Sequence, residues 1–205
     1  MKLNKLNIGT RFDCNGSKGT LLSFGPHNAW ADVQFDGKQK TYISAGAEVK
    51  PLDKISKPKF VYNDGGRQAA GFIGNAGDCV ARAIAIASGE SYKAVYNRLA
   101  DGMANQRKSK RTPKQPRSAR NGIYVKRKWF KDYMSELGFE YVATMGIGTG
   151  CQVHLKADEL PKGKIICTLS KHYAAVIDGV INDTYDCSRN GTRCVYGYWQ
   201  RKDMN

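Results

Sequence analysis

Hydrophobic and polar residues alternate over short stretches in the first 53 residues, as they do in β-strands with one buried face. Turn signals separate the stretches, at Asn15-Gly16, Gly25-Pro26 and Asp36-Gly37. Strands are therefore predicted at residues 9–13, 19–24, 29–35 and 39–43. Strands this short and this closely spaced predict a small β-barrel over residues 1–53.

From residue 65 the pattern changes to helical spacing and later returns to strands. An Ala-rich run predicts a first helix over residues 78–88, ending at Gly89. Ser91 is the expected N-cap of a second helix with an apolar face of Tyr92, Val95, Tyr96 and Leu99. A third helix is predicted over residues 126–137, followed by strands at residues 139–144, 164–169, 173–177, 180–185 and 194–199. Helices followed by strands predict an α+β domain over residues 65–205, joined to the barrel by a linker at residues 54–64.

The chain is strongly basic, with 33 Lys and Arg against 18 Asp and Glu. This balance predicts attraction to nucleic acid, to an acidic protein or to an anionic surface. Residues 103–121 carry much of the excess and contain two prolines and no acid, so they are expected to form an exposed, mobile loop. The loop is either a solvated charged segment or an electrostatic guide for an acidic partner. Its basic residues are Arg107, Lys108, Lys110, Arg111, Lys114, Arg117 and Arg120.

Apolar runs and cysteine spacing limit the location and the cofactors that can be expected. No apolar run approaches the roughly 20 residues that span a bilayer, and the start lacks the apolar region of a signal peptide. A cytoplasmic protein with no membrane partner is therefore expected, with its six cysteines as free thiols. The cysteine and histidine spacings match no structural zinc site, and no phosphate-binding glycine motif precedes a helix, so no metal or cofactor is expected.

Cys79 is the candidate nucleophile. It lies between the Gly-rich segment 74–78 and the first predicted helix. At that position its sulfur would lie near the unpaired N–H groups and the positive end of the helix, which favour the thiolate. The alternative is that Cys79 is a small core residue, as most cysteines in apolar helices are.

His172 and Asp183 are the candidate partners of Cys79. His172 opens a predicted strand, and Asp183 follows 11 residues later, across a glycine-containing turn, so the two are expected on neighbouring strands. Asn182 is the alternative orienting residue, and because strand positions alternate between faces, only one of the two can reach the imidazole. Asp183 is favoured because an acid also stabilises the imidazolium. His154 is a rival base, and no acid follows it at hairpin distance. His172 could instead satisfy a backbone carbonyl.

The order of these parts resembles the papain-like superfamily of cysteine peptidases, in particular its bacteriocin-processing and deubiquitinase-like branches and papain-like proteins of bacteriophages. The matching residues are Asp78-Cys79 entering the helix, His172 before an aromatic-aliphatic strand, and Asp183 on the next strand. Papain has Gly-Ser-Cys-Trp where this chain has Gly-Asp-Cys-Val, and its oxyanion-hole glutamine has no counterpart here, so Asn75 is the nearest amide.

The resemblance implies a mechanism and a substrate class. The Cys79 thiolate would attack an acyl carbon and form a thioester, His172 would protonate the leaving amine, and Asp183 would orient the imidazole. The backbone N–H of Cys79 and the Asn75 side chain would bind the oxyanion. The leading hypothesis is a phage-encoded hydrolase of a peptide or isopeptide bond in a host or viral protein. Acyl transfer uses the same parts.

The N-terminal segment carries a second resemblance. It contains a Gly-X-Leu strand, the hairpin Val33-Gln34-Phe35-Asp36-Gly37 and the closing segment Val49-Lys50-Pro51-Leu52. Together these features resemble small barrels of the KOW and Tudor type, over about a quarter of the chain. A second hypothesis is therefore a nucleic-acid-binding protein that uses the basic loop together with Trp30, Phe35 and Tyr42. A third is an adaptor or inhibitor that has the papain-like fold without turnover.

Overall fold

The computed structural model describes residues 1–51, 58–107 and 115–202. Contacts between residues divide the chain into two units, Met1–Ser56 and Lys57–Asn205, each with its own sheet. Within the described residues, no helix has both the length and the apolar character needed to cross a membrane.

The first unit is an antiparallel sheet of five strands. In spatial order they are β4 (Lys40–Ser44), β3 (Trp30–Phe35), β2 (Ser17–Phe24), β1 (Arg11–Cys14) and β5 (Lys50–Pro51). Alternation along β3 buries Ala31 and Val33 against Phe12 and leaves Trp30 exposed. β5 has only two residues and pairs with β1 alone, so the described strands form an open sheet. The closed barrel predicted over residues 1–53 is not formed by them.

The second unit combines three helices with a six-stranded sheet. The helices are α1 (Cys79–Ser88), α2 (Tyr92–Asn105) and α3 (Lys128–Glu136). The sheet order is β6 (Lys59–Tyr62), β10 (Val180–Asp183), β9 (His172–Ile177), β8 (Lys164–Leu169), β11 (Gly197–Arg201) and β7 (Phe139–Ala143). The Ala-rich face of α1 packs on β8 and β9, and this contact forms part of the main core. The mixed helix and sheet content agrees with the predicted α+β class.

The glycine predicted to end α1 and the serine predicted to cap α2 both have these roles in the structure. α1 ends where Gly89 takes a left-handed φ of 82°. At the start of α2, the Ser91 hydroxyl accepts a hydrogen bond of 3.3 Å from the Ala94 backbone N–H. α3 is shorter than the predicted 126–137 because Arg127 is still extended, with a ψ of 148°.

Strand β6 lies in the segment predicted to be a linker. Lys59–Tyr62 pairs in parallel with β10, from Lys59 opposite Val180 to Tyr62 opposite Asp183. Residues 54–57 of the same segment lie outside the described residues. The part of the segment that the structure describes therefore belongs to the sheet of the second unit.

One pair of cysteines departs from the expectation of free thiols. Cys151 and Cys194 form a disulfide, with their Cα atoms 5.7 Å apart. An isolated antiparallel bridge between His154 and Cys194 aligns the two segments, and this pairing is non-local in sequence. Free thiols remain at Cys14, Cys79, Cys167 and Cys187.

Candidate active site

Cys79 is the first residue of α1 and is half-buried. The preceding residue, Asp78, is the N-cap, but its side chain makes no capping hydrogen bond. The N–H groups of the first turn are therefore not occupied by that carboxylate, and their positive potential acts on the adjacent sulfur.

His172 and Asp183 contact each other across two antiparallel strands. The imidazole Nε2 lies 2.6 Å from Asp183 Oδ2, and both side chains are buried. Asn182 of β10 pairs with Ala175 of β9, so the register brings Asp183 opposite Ala174. His172 lies two positions from Ala174 on the same face of the sheet, within diagonal reach of the carboxylate.

Of the two candidate orienting residues, Asp183 reaches the imidazole. Asn182 is directed toward β6, since its Oδ1 accepts a hydrogen bond of 3.3 Å from the Asn63 side chain. Its side-chain N–H donates to the Val180 carbonyl at 3.0 Å. The strand alternation thus separates the two neighbours as expected.

The Cys79 thiol and the His172 imidazole are close enough to influence each other's ionisation. Burial raises the pKa of the thiol, but four opposing effects place that pKa below its ordinary value. They are the hydrogen bond and the charge of His172, the backbone N–H of Tyr173 and the charge of Arg82. Burial also disfavours the imidazolium, yet the contacts with Asp183, Cys187 and Cys79 raise the pKa of His172 well above its ordinary value. The pair is therefore stabilised as thiolate and imidazolium.

Asp78 holds a buried charge network next to Cys79. Its carboxylate accepts hydrogen bonds from Arg67 Nε at 2.7 Å, from the Arg82 guanidinium and from the Tyr92 hydroxyl. Arg82 Nη2 also lies 3.8 Å from Asp183 Oδ1. The start of α1 and the end of β10 are thereby connected through one arginine.

Sequence reasoning assigned no role to Asp78, Arg82 or Cys187. The spacing of Asp78 and Arg82, four residues apart on one face of a helix, was the available signal. Cys187 had no such signal, because it contacts His172 only through the fold of the chain after β10.

Asn75, the candidate oxyanion amide, is exposed in the turn before α1. It lines a cavity of about 520 Å³ that is also bordered by Arg82, Thr184 and Tyr185. The Tyr185 ring packs against the His172 ring, with centroids 5.3 Å apart, so this cavity adjoins the imidazole.

The described part of the predicted basic loop does not form one exposed segment. Residues 103–105 belong to α2, and Ala119 is fully buried. Arg107 is exposed, Arg117 pairs with Asp101 at 2.6 Å, and Arg120 donates to the Asn75 carbonyl at 2.9 Å. One end of the segment therefore contacts the turn that precedes Cys79. Lys108, Lys110, Arg111 and Lys114 lie outside the described residues.

Two further candidate residues, His154 and Phe35, have defined neighbours in the structure. His154 does have an acidic partner, since its Nδ1 lies 3.0 Å from Glu159 Oε2. That carboxylate also pairs with Lys156 at 2.6 Å. Phe35, proposed as a base-stacking residue, is half-buried and packs edge-on against Phe12 at 5.9 Å, beside the core of the first unit.

No protein-family model, no curated protein sequence and no solved structure matches this chain.

Proposed function

We propose that the second unit is a papain-like cysteine hydrolase that cleaves a peptide or isopeptide bond through a thioester intermediate. The observation that carries the proposal is the buried His172–Asp183 pair, together with the mutual effect of His172 and the Cys79 thiol on each other's ionisation. The order of the parts, with a cysteine at a helix start and a histidine and an acid on later strands, is also the basis of the resemblance to the papain-like superfamily.

The chemistry follows from these contacts. The thiolate of Cys79 attacks the acyl carbon and gives a tetrahedral intermediate, whose oxyanion is met by the backbone N–H of Cys79. The imidazolium of His172 donates its proton to the departing amine as the carbon–nitrogen bond breaks. The neutral imidazole then takes a proton from water, which attacks the thioester and releases the acid and the thiolate. Asp183 holds the ring in position throughout.

Space for a substrate lies on two sides of the pair. The cavity beside Tyr185 adjoins the imidazole, and a second cavity of about 600 Å³ contains Tyr173, Tyr141, Tyr196 and Trp199 among its lining residues. Tyr173, which lines this apolar cavity, directly follows His172 in β9 and also influences the ionisation of the Cys79 thiol, so the cavity lies near the nucleophile. A polypeptide with an apolar side chain suits such a surface.

The proposal is tested by the alkylation rate of each cysteine with iodoacetamide as a function of pH, resolved by peptide mass spectrometry. Cys79 is expected to react fastest, with an apparent pKa below the free-thiol value of about 8.5. His172→Ala should abolish this advantage, whereas His154→Ala, which removes the other histidine–acid contact, should retain it. A Cys79 as slow as the buried Cys167 would contradict the enzyme proposal. A reactive Cys79 with no turnover of any protein substrate would favour the adaptor or inhibitor.

A nucleic-acid-binding role remains a second candidate for the first unit. Trp30 and Tyr42 are exposed by 43% and 73%. Trp30 and Asp32 point to the same face of β3, and Asp32 lies opposite Tyr42 of β4. Lys40 is two positions from Tyr42 in β4, so the two aromatic rings and the lysine share one face of the sheet. Such a surface can stack bases. Binding of single-stranded RNA that weakens steeply with salt and is lost in Trp30→Ala would support this role.

A further inference from the structure

A second thiol lies beside the proposed catalytic pair, and the hydrolytic mechanism does not use it. Cys187 is 1% exposed, and its sulfur lies within 4.8 Å of a ring nitrogen of His172. The turn that holds it is fixed by the Ser188 backbone N–H, which donates to Asp186 Oδ1 at 2.9 Å. A buried thiol at this position places a soft metal ligand next to an imidazole and a carboxylate.

The three side chains lie close enough together for a small rearrangement to bring them onto one metal ion. Donor atoms of His172, Asp183 and Cys187 all lie within 4.8 Å of one another. A tetrahedral Zn²⁺ with bonds of about 2.0 Å to nitrogen and oxygen and about 2.3 Å to sulfur separates its ligand atoms by roughly 3.3–3.6 Å. The present separation of 2.6 Å between His172 Nε2 and Asp183 Oδ2 would have to widen by less than about 1 Å.

The surroundings orient the carboxylate for this role. Asp183 Oδ1 accepts a hydrogen bond of 2.7 Å from the Thr184 backbone N–H and lies 3.8 Å from Arg82. Its other oxygen, Oδ2, is the one directed at the imidazole. Such outer contacts on one carboxylate oxygen are typical of ligands whose second oxygen binds a metal.

We propose that His172, Asp183 and Cys187 form a Zn²⁺ site that switches off the hydrolase. The inhibitory part rests on the proposed function. A thiolate, an imidazole and a carboxylate are together a donor set that suits Zn²⁺ better than Mg²⁺ or Ca²⁺. Binding releases the thiol proton of Cys187 and the proton shared between His172 and Asp183. The two ligand charges balance the ion, while the nearby Arg82 is already paired with Asp78.

Occupation of this site would remove the general acid. The imidazole nitrogen that bonds to Asp183 would hold the metal, and Asp183 would become a ligand rather than the partner of an imidazolium. The ring could no longer cycle between its charged and neutral forms, which protonation of the leaving amine requires. The same ion would leave the fold of the strands in place, because the ligands come from β9, β10 and the turn that follows.

The site is tested by Zn²⁺ titration of the metal-free protein, with the Cys151–Cys194 disulfide intact and the other cysteines as free thiols, in competition with a chromophoric chelator. We expect one Zn²⁺ per chain, and Cd²⁺ should give a thiolate charge-transfer band in the ultraviolet. Cys187→Ala should weaken Zn²⁺ binding by about 100-fold or more and remove the Cd²⁺ band. Cys167→Ala, which alters another buried thiol of the same core, should bind Zn²⁺ within about threefold of the wild type. Cys79→Ala should also keep the ion, because the nucleophile is not among the three ligands.

Several results would overturn the site: no tight Zn²⁺ in the wild type, unchanged affinity in Cys187→Ala, or equal losses in Cys79→Ala and Cys187→Ala. The inhibitory step is measured separately, as the ratio of Cys79 alkylation rates without and with Zn²⁺. That ratio should be well above one in the wild type and about one in Cys187→Ala. Slow alkylation of Cys79 under every condition would refute the hydrolase, while the titration would still decide whether the metal site exists.

Discussion

Removal of the Asp78 carboxylate should unfold the second unit far more readily than removal of an exposed acid. Asp78 is 2% exposed and compensates the guanidinium groups of Arg67 and Arg82, whose side chains are 12% and 9% exposed. Asp78→Ala would leave the buried Arg82 with only the more distant Asp183 as counter-charge. It would also remove the acidic partner of the partly buried Arg67 and the acceptor of the Tyr92 hydroxyl. Breaking a buried pair from one side costs about 3–5 kcal/mol.

The matched control is Asp132→Ala. Asp132 also pairs with a cation four residues away in a helix, but the partner side chain, Lys128, is 88% exposed and Asp132 itself is 48% exposed. Pairs of this kind contribute about 0.3–0.5 kcal/mol. Asp78→Asn should lower the free energy of unfolding by most of the amount that Asp78→Ala does, because it keeps the shape of the side chain and removes its charge.

The measurement is the free energy of unfolding in urea, followed by tryptophan fluorescence. In a Trp30→Phe background the remaining tryptophans, Trp129 and Trp199, both report on the second unit. The melting temperature should fall by roughly 6–20 °C for a domain of this size. If Asp78→Ala lost no more than about 1 kcal/mol, the network would not be a buried, mutually dependent set of charges.

Further predictions concern the site and the helices. Asp183→Asn should slow alkylation of Cys79 at pH 7 by about tenfold or more, because the pKa of the imidazole falls and that of the thiol rises; a pH profile of the rate measures this. Gly102→Ala should destabilise the unit by about 1–3 kcal/mol in urea, since a Cβ would approach the Trp129 ring to 2.3 Å. Ser91→Ala should cost about 1 kcal/mol by the same measurement, through loss of the α2 N-cap.

The sequence was most informative where a feature depends on neighbouring residues. The run into Cys79, the stop at Gly89 and the cap at Ser91 are local signals, and each corresponds to a feature of the structure. Alternation along one strand predicted that only one of Asp183 and Asn182 could reach His172, while the choice of Asp183 depended on the charge of the acid; in the structure Asp183 is the residue that contacts the imidazole.

Features that depend on distant residues were missed. β6 is a strand only because Lys59–Tyr62 pairs with β10, more than a hundred residues later. The lysines and the proline in the residues before it favoured the prediction of a linker. The Cys151–Cys194 disulfide arises in the same way, from pairing between segments that are far apart in sequence. Cys187 was set aside because its spacing to other cysteines fits no metal motif, although the fold brings it to His172.

The position of β6 determines where the chain can be divided. A protein that began at residue 65, at the predicted domain start, would lose the strand that covers one edge of β10. Asp183 would then lie at the end of an uncovered edge strand, and Asn182 would lose its bond to Asn63. Unpaired edges of this kind recruit other chains, so such a fragment should aggregate. Any attempt to isolate the second unit should begin before Lys59.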